Sequence, residues 1–220
     1  MDKNITLSKS ELLISKLDDS SADTIVLFLP GISGKAFSER FQSVVDISLR
    51  VGYPIARMSA WESEEEVKQN TYAHYQSAII EAIDHFQSLG YSKVIAIGKS
   101  FGGGLLLSLH HDAIIKKILW APALGFAQVS NLEKLKNGLL SQIESLKDIK
   151  LAPDFVSLDK SKLCFIHGTD DSVIPILTSR QFVSSNANAR IIEVEGADHS
   201  FKTPESDKKL NEATEQFLKD

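Results

Sequence analysis

Between Val94 and Leu107 the chain reads Val-Ile-Ala-Ile, then Gly-Lys-Ser-Phe-Gly-Gly-Gly, then Leu-Leu-Leu. A short apolar run rich in β-branched residues has the character of a buried strand, and the leucine run after the glycines continues as a helix. The turn between them must be sharp. Gly98 and Gly102 stand two residues before and two after Ser100, so the turn closes without steric conflict and the serine projects from its tip. Gly103 and Gly104 extend the run of small residues and let the following helix come close to the sheet.

The same alternation of short apolar runs with longer segments of helical period recurs along the chain, the pattern of a sheet covered by helices on both faces. Strands are expected at 24–29, 54–58, 93–97, 117–120, 163–166 and 190–194. Helices are expected at 37–51, 64–89, 101–111, 132–149, 176–184 and 206–218, with an antiparallel hairpin formed by 5–7 and 12–17 at one edge. The fold class is therefore α/β, with a mostly parallel central sheet. At 220 residues, 43% hydrophobic and 24% charged, the chain suits one such domain over 1–220 with a sizeable core.

A formal charge of −5 supplies no global attraction to phosphate backbones or anionic membranes, so neither nucleic acid nor membrane is an expected partner. The single cysteine, Cys164, lies in an apolar run and reads as a buried small hydrophobe. The amino terminus lacks the apolar stretch of a secretory signal, and no apolar run approaches the ~20 residues that span a bilayer, so a cytoplasmic location is expected.

In open parallel sheets ligands bind outside the carboxyl ends of the strands, which directs attention to the residues just after each one. Ser100, the stretch Gly31 to Gly34, the pair Asp170 and Asp171, and His199 all occupy such places. A serine hydroxyl needs a base to become a nucleophile. The pattern Gly-x-Ser-x-Gly arises by chance in roughly one chain of this length in ten, so the strand before it and the helix after it carry the argument for Ser100. A phosphate-binding loop would need glycine where Lys93 stands, and Gly31-Ile32-Ser33-Gly34-Lys35 has its glycines too close together, with Ala36 in place of the hydroxyl. Nucleotide binding is disfavoured, and no cofactor or metal is expected.

Among six histidines, His199 fits the base best, because it lies between the last strand and the last helix; His167, directly after a strand, is its rival. His74 and His85 lie in the long helix segment, and His110 and His111 are expected to meet the terminal carbonyls of the helix after Ser100. An acid that orients the imidazole should come from another loop on the same edge. His167-Gly168-Thr169-Asp170-Asp171-Ser172-Val173-Ile174-Pro175 offers Asp170 and Asp171, and residue chemistry does not separate them.

The order Ser100, aspartate, His199 resembles the nucleophile–acid–histidine order of the α/β-hydrolase superfamily over nearly the whole chain, in a small esterase- or dienelactone-hydrolase-like form. The segment from His167 to Pro175 resembles that superfamily's acid loop, in which the fifth residue carries the carboxylate, and this resemblance selects Asp171. Gly196 to Phe201 resembles its histidine loop. The resemblance also implies an oxyanion hole from the backbone N–H groups of Ile32 and Phe101, although Pro30-Gly31 replaces a frequent His-Gly. Lys99 is unusual beside the nucleophile and is expected to make a structural ion pair.

Only about forty residues separate Trp120 from Leu163, so no large cap domain is expected, and Leu132, Leu135, Leu139, Ile143 and Leu146 give the segment there one apolar face. Trp61, Leu124 and Phe126 are candidates either for contact with an acyl group or for ordinary packing. The expected activity is hydrolysis of a small carboxylic ester or thioester through an acyl-enzyme, with a small acyl compound as substrate. Amide or peptide cleavage, and a catalytically silent interaction protein of the same fold, stand as alternatives.

Overall fold

The computed structural model describes residues 2–15, 22–123 and 162–220. Eight strands form one sheet: β1 (Asp2–Thr6), β2 (Glu11–Ser15), β3 (Thr24–Leu29), β4 (Ile55–Ser59), β5 (Lys93–Lys99), β6 (Ile114–Trp120), β7 (Lys162–Gly168) and β8 (Ala189–Val194). Their spatial order is β1-β2-β4-β3-β5-β6-β7-β8. Strands β4, β3, β5, β6, β7 and β8 run parallel, while the β1–β2 hairpin joins antiparallel to β4.

Helices α1 (Gln42–Val51), α2 (Glu64–Gln69), α3 (Tyr72–Ser88), α4 (Phe101–Leu107), α5 (Leu177–Ser184) and α6 (Pro204–Lys219) cover both faces. From β3 the chain moves to one neighbour, β4, through α1, and then returns past β3 to β5 through α2 and α3. Right-handed crossovers in opposite directions put these helices on opposite faces. Accordingly Val44, Val45 and Ile47 of α1 share an apolar cluster with Leu210, Phe217 and Leu218 of α6. Ala78, Ile79 and Ile83 of α3 share the other with Leu105 and Leu106 of α4 and Phe182 of α5.

The central strands β3 and β5 are mainly apolar because each packs on both sides. Val26 and Phe28 face α1 and α6, while Ile25, Leu27 and Leu29 face α3 and α4. The two-residue period continues in β5, where Ile95 and Ile97 join the α1–α6 cluster and Val94 and Ala96 the opposite one. Cys164 is fully buried in β7, and burial pushes its thiol pKa up.

Some boundaries differ from the sequence expectation. The helical pattern at 64–89 is two helices, because Thr71 takes extended backbone and its side chain accepts from the His74 N–H, starting a new helix at Tyr72. The segment at 37–51 begins with a single 3-10 turn, Glu39–Phe41, capped by Ser38. Helix α4 stops at Leu107 instead of reaching His111. His110 and His111 consequently miss its last carbonyls: His111 Nδ1 accepts from the Ala113 N–H, and His110 lies 3.6 Å from Asp112. The helix expected at 132–149, together with Leu124 and Phe126, lies outside the described residues. Among the described residues no helix is long and apolar enough to cross a membrane.

The crossing of α4 over the carboxyl ends of β3 and β5 is held at backbone distance. A Cβ added at Gly102 would sit 2.5 Å from the Pro30 carbonyl oxygen, and one at Gly98 would sit 2.7 Å from the Gly103 nitrogen. The Gly102 N–H donates to that same Pro30 oxygen at 3.2 Å. Gly102→Ala must therefore push main chain away from main chain, and it is expected to lower unfolding free energy by about 1–3 kcal/mol. Gly31→Ala, whose added Cβ would lie 3.6 Å from the Ser100 Cβ, should cost much less when both variants are compared by urea titration.

Candidate active site

The reversal of strand order at β3 creates a crevice between the carboxyl ends of β3 and β5, the place where open α/β sheets bind ligands. Two turns meet there. The turn from β5 into α4 holds Ser100 at φ 50°, ψ −113°, a backbone conformation that L-residues rarely adopt. It is maintained on three sides: the Ser100 N–H donates to the Trp120 oxygen at 2.9 Å, and the Ser100 carbonyl accepts from the N–H groups of Gly104 and Ala123, each at 2.9 Å. Backbone strain of this kind persists only where the surroundings over-determine it.

The turn after β3 carries Gly31, Ile32, Ser33 and Gly34. The indole N–H of Trp61 donates to the Gly31 oxygen at 2.9 Å and anchors it. Trp61 is 1% exposed and packs edge-on against Tyr75 and Phe101, with ring centroids 5.3 and 5.1 Å away. It is a brace between the two turns, which settles it as packing. Among the described residues no acceptor takes the Ile32 or the Phe101 N–H, and both lie on turns flanking Ser100.

Asp171 and His199 reach the same crevice from the loops after β7 and β8. The His199 Nδ1–H donates to Asp171 Oδ2 at 2.7 Å, and that leaves Nε2 as the acceptor for the Ser100 hydroxyl, 3.1 Å away. Asp170, by contrast, is exposed and accepts from the Thr169 hydroxyl. The structure thus brings Ser100, His199 and Asp171 into one hydrogen-bonded chain and leaves Asp170 outside it.

The Asp171 carboxylate is enclosed by donors. Oδ1 accepts from the N–H groups of Val173 and Ile174 at 2.9 and 2.8 Å. Oδ2 accepts from His199 and, at 3.1 Å, from a second imidazole, that of His167. Burial pulls the carboxyl pKa up, but the bonds from His167 and His199 outweigh it, and the net value lies well below the usual carboxylate range.

His167, fully buried, does not approach the serine; it binds the acid. Its Nε2 faces both Asp171 Oδ2 and, at 2.9 Å, the Ile174 oxygen, so that nitrogen carries the proton. Nδ1 is then the acceptor for the Ser179 hydroxyl at 2.8 Å. Sequence reasoning named His167 as a rival base and missed Ser179; a histidine four residues before the acid was the available signal.

Lys99 also departs from expectation. No carboxylate among the described residues forms an ion pair with it. Its Nζ donates instead to the backbone oxygen of His199 at 3.0 Å. Arg40 does the same for the next residue, donating to the Ser200 oxygen at 2.9 Å.

Against known families, the model described as "Uncharacterised protein family (UPF0227)" matches residues 57–214, which include Ser100, Asp171 and His199. The chain belongs to this family. No curated protein matches it. Among solved structures, this UPF0227 member is similar to Est1E from Butyrivibrio proteoclasticus, with TM-score 0.80, 16% identity and coverage of 99% of this chain and 97% of that one. It is also similar to an esterase from Exiguobacterium antarcticum, with TM-score 0.75, 19% identity and full coverage of both chains. Dienelactone hydrolase from Anabaena variabilis gives TM-score 0.74 at 16% identity, covering 99% of this chain and 96% of that one. The fold of this UPF0227 chain is that of the α/β-hydrolases.

The depressed pKa of Asp171 has a defined sign in stability. Its bonds stabilise the native state fully above the unfolded carboxyl pKa of about 3.9 and are lost as pH falls below it. In urea titrations the stability difference between wild type and Asp171→Asn should therefore be largest near neutrality and shrink below about pH 4. Ser179→Ala, which strands His167 Nδ1, should cost about 1–3 kcal/mol at neutral pH.

Proposed function

We propose that the chain is a serine hydrolase acting on small carboxylic esters or thioesters through an acyl-enzyme. The observation that carries this reading is the hydrogen-bonded chain from Ser100 Oγ through His199 to Asp171, with distances of 3.1 and 2.7 Å. It has the donor and acceptor order that proton removal from the serine requires.

In the first half-reaction Ser100 Oγ attacks the carbonyl carbon as its proton passes to His199 Nε2. The imidazolium formed is stabilised by the Asp171 carboxylate, which remains ionised because four donors hold it so. Negative charge gathers on the former carbonyl oxygen, for which the N–H groups of Ile32 and Phe101, unengaged among the described residues, are the proposed donors. Collapse expels the alcohol or thiol, which takes the proton from His199. Water then attacks the acyl-enzyme, giving its proton to the same nitrogen, and the acid product leaves with Ser100 regenerated.

The preference for esters draws on the relatives. One is an esterase, another a dienelactone hydrolase, and Est1E has been solved with ferulic acid bound. The substrate is accordingly a small acyl compound, and acyl transfer through Ser100 and His199 needs no cofactor.

Native protein should label with a fluorophosphonate probe, whereas Ser100→Ala should not and His199→Ala should label far more slowly. On p-nitrophenyl esters of increasing acyl length, thioesters and amides, the esters and thioesters should turn over, and Ser100→Ala should lower kcat on the order of 10⁶-fold. Absence of labelling in folded native protein rejects Ser100 as nucleophile, and turnover of amides without esters rejects the substrate class.

A further inference from the structure

The alternation along β5 that sends Ile95 and Ile97 toward α1 and α6 sends Lys99 the same way, to the face opposite α4. There it lines a cavity of about 510 Å³ together with Arg40, Ser43, Trp120, Phe201 and Lys202. Phe41 and Leu210 add apolar wall. Ser100 does not line it. The segment His199 to Phe201 lies between this cavity and the crevice, and Lys99 and Arg40 grip that segment by its carbonyls.

The charge in this cavity is lopsided. Three cationic side chains line it against one carboxylate, that of Asp207, and Lys202 is already near Asp198 at 3.7 Å. Neither Lys99 nor Arg40 has a carboxylate partner among the described residues. Lys99 is only 7% exposed, and among the described residues its ammonium donates one hydrogen bond, to His199, and lies 5.9 Å from the centre of the Phe201 ring. Asp171 and Asp198 attract it only at longer range, and a buried ammonium without a counter-ion in contact is costly unless a ligand supplies one.

We propose that this cavity binds a small organic anion, its carboxylate or phosphate head held by Lys99, Arg40 and Ser43 and its apolar body set against Phe41, Trp120 and Phe201. The volume lies within the range of small-molecule sites and exceeds what a bare oxyanion fills, and the aromatic walls suit a ring or short chain. Burial, and then the nearby Arg40, outweigh the pull of Asp171 and Asp198 and lower the Lys99 pKa to about 8, the direction expected where no counter-ion is in contact. An anion drawn to Lys99 also acts on the donor that positions the His199 backbone, so occupancy reaches the crevice without touching Ser100.

The test is a heteronuclear NMR titration of the full chain at fixed ionic strength with phenyl phosphate, benzoate, inorganic phosphate and phenol. Phenyl phosphate and benzoate should give saturable shifts in the amides of residues 40–43 and 199–202. Inorganic phosphate should bind more weakly, and phenol should give no saturable shift. Lys99→Met and Arg40→Gln should each weaken phenyl phosphate about tenfold or more. Ser100→Ala should bind like wild type, so the outcome is independent of whether the chain is a hydrolase. Absence of saturable binding, equal binding of phenol, or full affinity retained in Arg40→Gln overturns the proposal. Arg40 is exposed, so that variant keeps the test decisive even where Lys99→Met fails to fold.

Discussion

The structure depends on main chain meeting main chain where α4 crosses the ends of β3 and β5. At Gly98, Gly102, Gly103 and Gly104 an added Cβ would collide with backbone atoms of β3, the elbow itself or the segment after β6. This close approach lets Gly102 bond to Pro30 and lets the Ser100 carbonyl accept from Ala123, so the ends of β3, β5 and β6, neighbours in the sheet, are tied together at the elbow. The unusual backbone of Ser100 is the consequence. Neighbours on both sides hold that residue in a conformation that the local sequence alone would not stabilise.

A second tie fixes what faces the serine. The four donors around Asp171 come from two sources with different roles. Val173 and Ile174 belong to the acid's own turn and fix the carboxylate plane, while His167 and His199 both donate to the same oxygen. Because His167 Nε2 also meets the Ile174 oxygen, its proton is shared, and the shorter bond goes to His199, at 2.7 against 3.1 Å. The buried imidazole thus steadies the acid while leaving the stronger acceptor direction to the histidine that faces Ser100.

What was legible in the sequence was local. β5 and its elbow could be read because apolar alternation and glycine spacing are short-range signals, and the placing of His199 after the last strand follows from the parallel topology. The break at Thr71 was legible in principle, since threonine is a good helix cap, but the apolar period runs through it and hid the boundary. Asp170 and Asp171 were equivalent to residue chemistry, because adjacent residues on one turn differ only in which one the tertiary structure turns inward. For Lys99 the expected partner was wrong for a related reason. An ion pair is the usual answer for a lysine among loops, and nothing in the sequence marks a backbone carbonyl a hundred residues away as the acceptor.

His199 is held from two directions that have different physical origins. Its ring is oriented by Asp171, whose charge is fixed by surrounding donors, and its carbonyl is held by Lys99, which makes no ion pair with an acid of the described residues. Strand geometry makes this unavoidable. In a two-residue period, the residue next to the turn that presents Ser100 to one face must itself lie toward the other, so a charged group at 99 connects the histidine backbone to whatever lies beneath α1 and α6. An apolar residue at 99 would close that face with ordinary packing. A lysine there keeps it polar, and the position of the histidine that faces Ser100 becomes sensitive to the charge on the far side of the sheet.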